Sequence, residues 1–450
     1  MTVRLTDPSS MSTEGKLGGI DRRRLLQFAA IAPAVSAAGS LAQAAPVATK
    51  ARIVIAGAGA GGLAVASRLA TALDGAKITL IDERKAHYYQ PGYTLVAAGL
   101  KSPEYTISAT KDYVARGVEL IEESVAEFDP AGNTVTTSKG RKVPYDYLVV
   151  ATGLKLDYGA IEGMDTRLIG KDGLGSVYAS PEAAQATWRL MSDFADKGGI
   201  GLFGRPGTDM KCAGAPLKYA FITDDYLRRR GTRGRAELNY YAPQKTLFGV
   251  PIVAEKVRML FGDRGINFKS DHNLVAIDPG KKIARYRTLG TEVEAKYDFI
   301  AVVPPMRAPD AVRNSDLKWK EGGFAADGWM EVDRTTMQHK RFPNVFGVGD
   351  VTGIPKGKTA ASVKWQVPVV VDHLVATIAN KTSTAAYNGY TSCPLITRVG
   401  RAMLIEFDYN DNLIESFPGL IAPLEELWIT WVMKETALKP TYLSMLRGKA

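Results

Sequence analysis

The sequence predicts an α/β protein with two Rossmann-like dinucleotide-binding domains and a C-terminal membrane-facing segment. Three observations carry that prediction. A strand, a Gly-x-Gly-x-x-Gly turn and a helical pattern follow one another in register from Arg52. A second strand running into a glycine-containing loop begins at Gly199. The stretch 419–450 is rich in Leu, Trp and Lys, yet holds no apolar run of the roughly 18 residues a bilayer span needs.

Composition narrows the partners. With 46% hydrophobic and 23% charged residues, the 450-residue chain has the make-up of an ordinary globular protein of two or three domains. The net charge of +10 is scattered rather than clustered with aromatic residues. That argues against nucleic acid and leaves anionic lipid or an acidic protein as partners for the basic surface. The four histidines, His87, His272, His339 and His373, have no metal-ligand spacing, and no metal is expected.

Residues 1–44 read as a removable leader. "DRRRLLQF" precedes a small, apolar, uncharged run, and Ala42-Gln43-Ala44 supplies a small-x-small cleavage pattern. The paired arginines after Asp21 resemble a twin-arginine signal for folded, cofactor-loaded proteins, which predicts export to the periplasm. Loss of the leader's five Lys/Arg and three Asp/Glu lowers the net charge from +10 to +8. In an oxidising compartment, the chain's two cysteines can persist as a disulfide.

The first dinucleotide-binding domain is expected over 51–165, with a second part over 305–380. Gly57 permits the tight turn, Gly59 lets the backbone approach a pyrophosphate, and Gly62 lets helix pack on strand. Asp82 ends the next strand, twenty residues beyond Gly62, where a carboxylate accepts hydrogen bonds from ribose hydroxyls. "YDYLVVATG", ending at Gly153, and "FPNVFGVGDVTG", containing Asp350, resemble the crossing and return segments of two-dinucleotide-domain flavoproteins. That resemblance implies FAD, with Asp350 at the ribityl-phosphate end.

The second domain, 166–304, departs from a working NAD(P)H site. After its strand the loop reads Gly204-Arg205-Pro206-Gly207, and no helix follows until about Pro216. The loop presents Cys212 instead. A helix N-terminus ahead of it and Lys211 beside it favour the thiolate.

"KCAGAPLK", "TSCPLI" (with Cys393) and "EFDYN" together resemble the sulfide:quinone oxidoreductases of the two-cysteine type. "HYYQPGYTLVAAG", "VPPMRAPD" and "GKTAASV" extend the likeness from about Arg52 to the C-terminus. The resemblance implies a Cys212–Cys393 redox disulfide lying against the flavin. It implies that sulfide opens the bridge, that Cys393 takes the sulfane sulfur, and that Cys212 is the thiolate attacking the flavin. Lys358 matches a family lysine near the flavin's pyrimidine end. The flavin's electrons then pass to a quinone, and the sulfane sulfur to a small acceptor. No third cysteine remains to attach the flavin, so FAD is expected to be noncovalent.

The segment 381–450 places Leu420, Leu424, Leu427, Trp428 and Trp431 on one helical face, flanked by Lys434, Lys439, Arg447 and Lys449. This predicts a helix lying in one leaflet of the inner membrane. Three alternatives stay open from the sequence. One is the flavoprotein subunit of a flavocytochrome c sulfide dehydrogenase, with a c-type cytochrome as partner. The others are a type II NADH dehydrogenase and a noncatalytic flavoprotein stapled by Cys212–Cys393.

Overall fold

The glycine turn joins β1 (Arg52–Ala56) to α1 (Ala60–Ala72) in a computed structural model that describes residues 45–449. The leader expected over 1–44 lies outside these residues. Ile53, Val54, Ile55 and Ala56 are all buried, as a parallel strand covered on both faces requires. Parallel to β1 run β2 (Lys77–Ile81), β3 (Glu119–Ile121) and β4 (Tyr147–Val150). Gly57 has φ +104°, and a Cβ there would lie 2.5 Å from the Ala151 carbonyl oxygen. A Cβ on Gly62 would lie 1.8 Å from the Gly57 carbonyl oxygen. Turn, helix and β4 thus close on one another with no room for a side chain.

The chain then builds a second parallel sheet. Its elements are β5 (Leu174–Gly175), α2 (Pro181–Lys197), β6 (Gly199–Gly204), α3 (Ala215–Arg229), β7 (Ala236–Tyr241), α4 (Pro251–Arg264), β8 (Ile266–Lys269) and β9 (Phe299–Ala301). The strand order is β5-β9-β6-β7-β8. Helix α2 starts where its sequence says it should, with Ser180 Oγ accepting from Ala183 N at 3.1 Å and Pro181 first in the helix.

Strand β10 (Val345–Gly347) returns to the first sheet, which reads β10-β4-β1-β2-β3. Leu148 of β4 pairs with Val54 on one side and Val345 on the other. Helix α5 (Ala360–Ile378) follows, capped by Thr359, and then a hairpin of β11 (Thr391–Arg398) and β12 (Arg401–Phe407). Cys393 lies on β11 opposite Ile405.

The tail differs from the expected single amphipathic helix. It forms α6 (Trp428–Val432), a π-helical turn at Met433–Ala437 and α7 (Leu438–Leu446). Pro418 and Pro423 each lack the N–H a helix needs, Leu424 has φ +63°, and Leu427 pairs with Ala402 instead of continuing a turn. The two tryptophans part company: Trp431 is 6% exposed and Trp428 52%. Helix α7 is tied to the first sheet's domain by Ser67 Oγ donating to Leu446 O at 2.8 Å and by a 2.8 Å bond between Tyr442 OH and His87 Nε2. Among the described residues, no helix is long and apolar enough to cross a membrane.

Candidate active site

Two loops and a hairpin bring the chain's cysteines together. Cys212 sits at φ +48°, a left-handed conformation that costs a non-glycine residue free energy. Its backbone is pinned on three sides. Its N–H donates to Lys358 O at 3.0 Å, while its carbonyl accepts from Ala215 N at 2.8 Å and Tyr178 OH at 3.2 Å. Cys393 is buried on β11, and a Cβ on Gly214 would lie 2.4 Å from its Sγ. Gly214 is therefore small so that β11 can bring this sulfur against the start of α3. Both cysteines are unbridged, and their side chains act on one another.

The cation serving the thiols is not the neighbouring Lys211, as the sequence suggested. Lys211 Nζ turns to Gln90 Oε1 at 2.6 Å. Lys218, on α3 and 3% exposed, reaches Cys212 Sγ at 3.6 Å. The hydrogen bond from Cys393 holds the Cys212 thiol well below its ordinary range, and Lys218 and Lys434 reinforce it against the cost of burial. Cys393, as the donor in that bond and buried as well, is pushed the other way. A helical residue six positions on reaches back over the preceding turns, a contact that adjacency in sequence does not reveal.

Lys434 is a second departure. Read as a lipid-facing flank, it is instead 3% exposed, and its Nζ donates to Pro91 O at 2.7 Å. Burial, joined by repulsion from Lys218, lowers its pKa to about 7, and the two cysteines oppose the drop. Two buried lysines thus converge on one pair of sulfurs.

The first glycine turn leaves room for a dinucleotide. A Cβ on Gly59 meets nothing nearer than Arg84 Nη2 at 3.9 Å, and one on Gly153 meets nothing within 4 Å. Thr152 Oγ1 is buried without a partner beside that opening. Gly59 also leads into α1, whose first N–H groups have no side-chain cap. An open backbone cradle, a helix N-terminus and an orphaned hydroxyl together fit FAD. Asp82 follows the second strand and bonds to its neighbours. Its Oδ2 accepts from Ala58 N and Arg84 Nη2, both at 2.6 Å, and its Oδ1 from Arg84 N at 2.8 Å and Nε at 2.9 Å. Arg84, which the sequence reading passed over, thus sits beside Asp82 at the end of the second strand, where the sequence places a ribose-facing carboxylate.

Asp350 follows β10 within a short 3₁₀ turn, beside Gly349 at φ +78°. Burial raises its pKa, while Lys211 and Lys358 oppose the rise. Lys358 Nζ donates to Asp350 O at 2.8 Å and Thr352 O at 2.7 Å, and it lies 3.6 Å from the Trp329 ring centre. Burial lowers its pKa to about 8. Because Lys358 O also accepts from Cys212 N, one loop carries both this cation and the anchor of the cysteine loop.

The second glycine loop differs from the first. Pro206 stands between Gly204 and Gly207, and α3 does not begin until Ala215.

One open dinucleotide cradle, a second parallel sheet with a proline in its glycine loop, and a buried cysteine pair define a flavoprotein of the disulfide-oxidoreductase class. Residues 51–189 match the family model described as pyridine nucleotide-disulphide oxidoreductase. The chain is 34% identical over 400 residues to "Sulfide:quinone oxidoreductase, mitochondrial" of Mus musculus, covering 88% of this chain and 86% of the relative. The Dictyostelium discoideum protein of the same name is 35% identical over the same shares. The solved structure of the Aquifex aeolicus sulfide:quinone oxidoreductase superposes with a TM-score of 0.73 at 25% identity, covering 89% of this chain and 92% of that one. The chain belongs to the sulfide:quinone oxidoreductase family, and FAD is its cofactor.

Proposed function

We propose that this enzyme oxidises sulfide at the Cys212–Cys393 pair and delivers the electrons through FAD to a membrane quinone. The observation that carries the reading is the convergence of both cysteines with buried Lys218, beside the loop that Lys358 shares with the dinucleotide cradle. Hydrosulfide attacks Cys393 Sγ of the bridged pair. The S–S bond breaks, a persulfide forms on Cys393, and the electron pair leaves on Cys212. Lys218 stabilises that thiolate, and the hydrogen bond from the Cys393 side does so in the reduced pair. Bound FAD supplies a two-electron acceptor. Gly57, Gly59, Gly62 and Gly153 form its cradle, while Asp350 and Lys358 hold the loop at its other end, with Lys358 as the fixed cation.

The names of the relatives favour a quinone over a cytochrome as acceptor. We place the enzyme peripherally on a membrane, with Phe417, Leu420 and Trp428 exposed on its C-terminal segment. Export to the periplasm is proposed from the leader at 1–44 alone, since the two relatives described above are mitochondrial by name. Anaerobic addition of sulfide to the purified FAD-loaded protein tests the reading. Flavin absorbance should bleach with sulfide and stay unchanged with NADH; bleaching by NADH alone would defeat it.

A further inference from the structure

Cys212 and Cys393 ride on separate carriers, far apart in sequence, so contacts between the carriers set the spacing of the sulfurs. Cys212 lies on the loop whose N–H donates to Lys358 O at 3.0 Å, and Cys393 on the β11–β12 hairpin. One contact comes from the turn after β12, at the "EFDYN" stretch that the sequence singles out. Asp408 shapes this turn by accepting from Asn410 N at 2.8 Å and Asn412 N at 3.1 Å. Asp411, at φ +64° within it, forms an ion pair with Lys356. The lysine side chain is 17% exposed and the carboxylate 38%, so water screens this pair less than one on the open surface. Lys356 Nζ also lies 5.3 Å from the ring centre of Phe407, the last residue of β12. One cation thus grips both the strand end and the turn.

Lys356 is two residues from Lys358. Between them Gly357 has φ +135°, and a Cβ there would lie 2.8 Å from Gln366 Nε2. Across this glycine the Lys356 side chain goes to the hairpin turn, and the Lys358 side chain goes to Asp350 O and Thr352 O. The Lys358 carbonyl meanwhile holds Cys212 N. Three consecutive residues therefore tie together the cation beside the dinucleotide cradle, the anchor of Cys212 and the hairpin of Cys393. Resting on the function proposed above, we infer that Lys356 and Asp411 are positioning residues of this reaction. Their ion pair clips the Cys393 hairpin to the loop that anchors Cys212, at the spacing where the sulfurs can close their bridge. The clip acts through the backbone rather than on the sulfurs. Without it, loop and hairpin separate while each stays folded, and the effective concentration of one sulfur at the other falls.

The bridge equilibrium of the FAD-loaded enzyme in anaerobic glutathione buffers tests this, with no sulfide present. Two glutathione thiols open the bridge, giving two protein thiols and one glutathione disulfide, so the exchange balances without a further oxidant. Acid quenching, alkylation and peptide mapping then give the bridged fraction. Lys356→Met and Asp411→Asn should each shift the equilibrium toward the dithiol about five-fold, roughly 20 mV for a two-electron couple. The double variant should shift it no further than either single one, because the two side chains act as one clip. Lys356→Arg should restore most of the wild-type value, which separates the ion pair from damage to the loop. Should Lys356→Met not fold, Asp411→Asn, at the more exposed position, carries the same test. An unchanged equilibrium in Asp411→Asn, or shifts that add in the double variant, overturn the inference. Failure of sulfide to bleach the wild-type flavin would instead defeat the underlying function, and the glutathione equilibrium would still judge the clip.

Discussion

Replacing Lys218 with Met keeps the side chain's length and apolar stem while removing the charge 3.6 Å from Cys212 Sγ. At that distance and an effective dielectric near 20, an ion pair is worth on the order of 4 kcal/mol. Lys434 and the Cys393 hydrogen bond remain, so the net change falls below that figure. The Cys212 thiol pKa should rise, because the opposite charge that favours its thiolate is gone. The thiolate should therefore form only at higher pH than in the wild type, with the alkylation profile of Cys212 shifted toward alkaline pH. The assay is the pH dependence of alkylation of the reduced protein by iodoacetamide, with peptide mapping to separate Cys212 from Cys393. The parallel readout is sulfide-driven flavin reduction in stopped flow, which should slow in the variant and recover as pH rises. An alkylation profile for Cys212 that Lys218→Met leaves unmoved refutes the assignment of Lys218 as the thiolate's cation.

Three further outcomes are expected. Gly62→Ala places a Cβ against the Gly57 carbonyl and should prevent folding of the first domain, whereas Gly59→Ala should keep the fold and lose flavin, as circular dichroism and flavin content will show. Trp431→Glu, in a buried position, should destabilise by roughly 3–5 kcal/mol, while Trp428→Glu should leave the melting temperature nearly unchanged and weaken binding to anionic vesicles. Burial lowers the His87 pKa to about 4 against an ordinary 6.5. A depressed histidine contributes its full stability above pH 6.5 and loses it as pH falls toward 4. The loss is about 3 kcal/mol over that window, and a His87→Gln variant should show a flatter pH profile in chemical unfolding.

Much of this was legible because local pattern and local physics agreed. Gly57, Gly59 and Gly62 announce a turn that tolerates no Cβ at its ends, and Pro206 announces a loop of a different kind. What escaped the sequence was set by tertiary distance. Lys218 and Lys434 are 216 positions apart, and nothing local marks either as buried beside a thiol. Lys211 was the nearer candidate in sequence, but its backbone direction carries it to Gln90. Asp82 follows the second strand as the pattern places it, and Arg84, beside it in sequence, is the partner the pattern does not announce. The tail misled because a helical periodicity was read through Pro423, where the chain cannot maintain helix.

The central claim is that electrons leave sulfide through the cysteine pair. Single-turnover reduction of the flavin by sulfide, compared between the wild type and Cys393→Ser under anaerobic conditions, tests it most directly. The variant has no bridge for sulfide to open, so its flavin should be reduced at least a hundred-fold more slowly, with FAD content and melting temperature preserved. Reduction of Cys393→Ser at the wild-type rate would show that the flavin takes its electrons from sulfide without the pair, and would contradict the account.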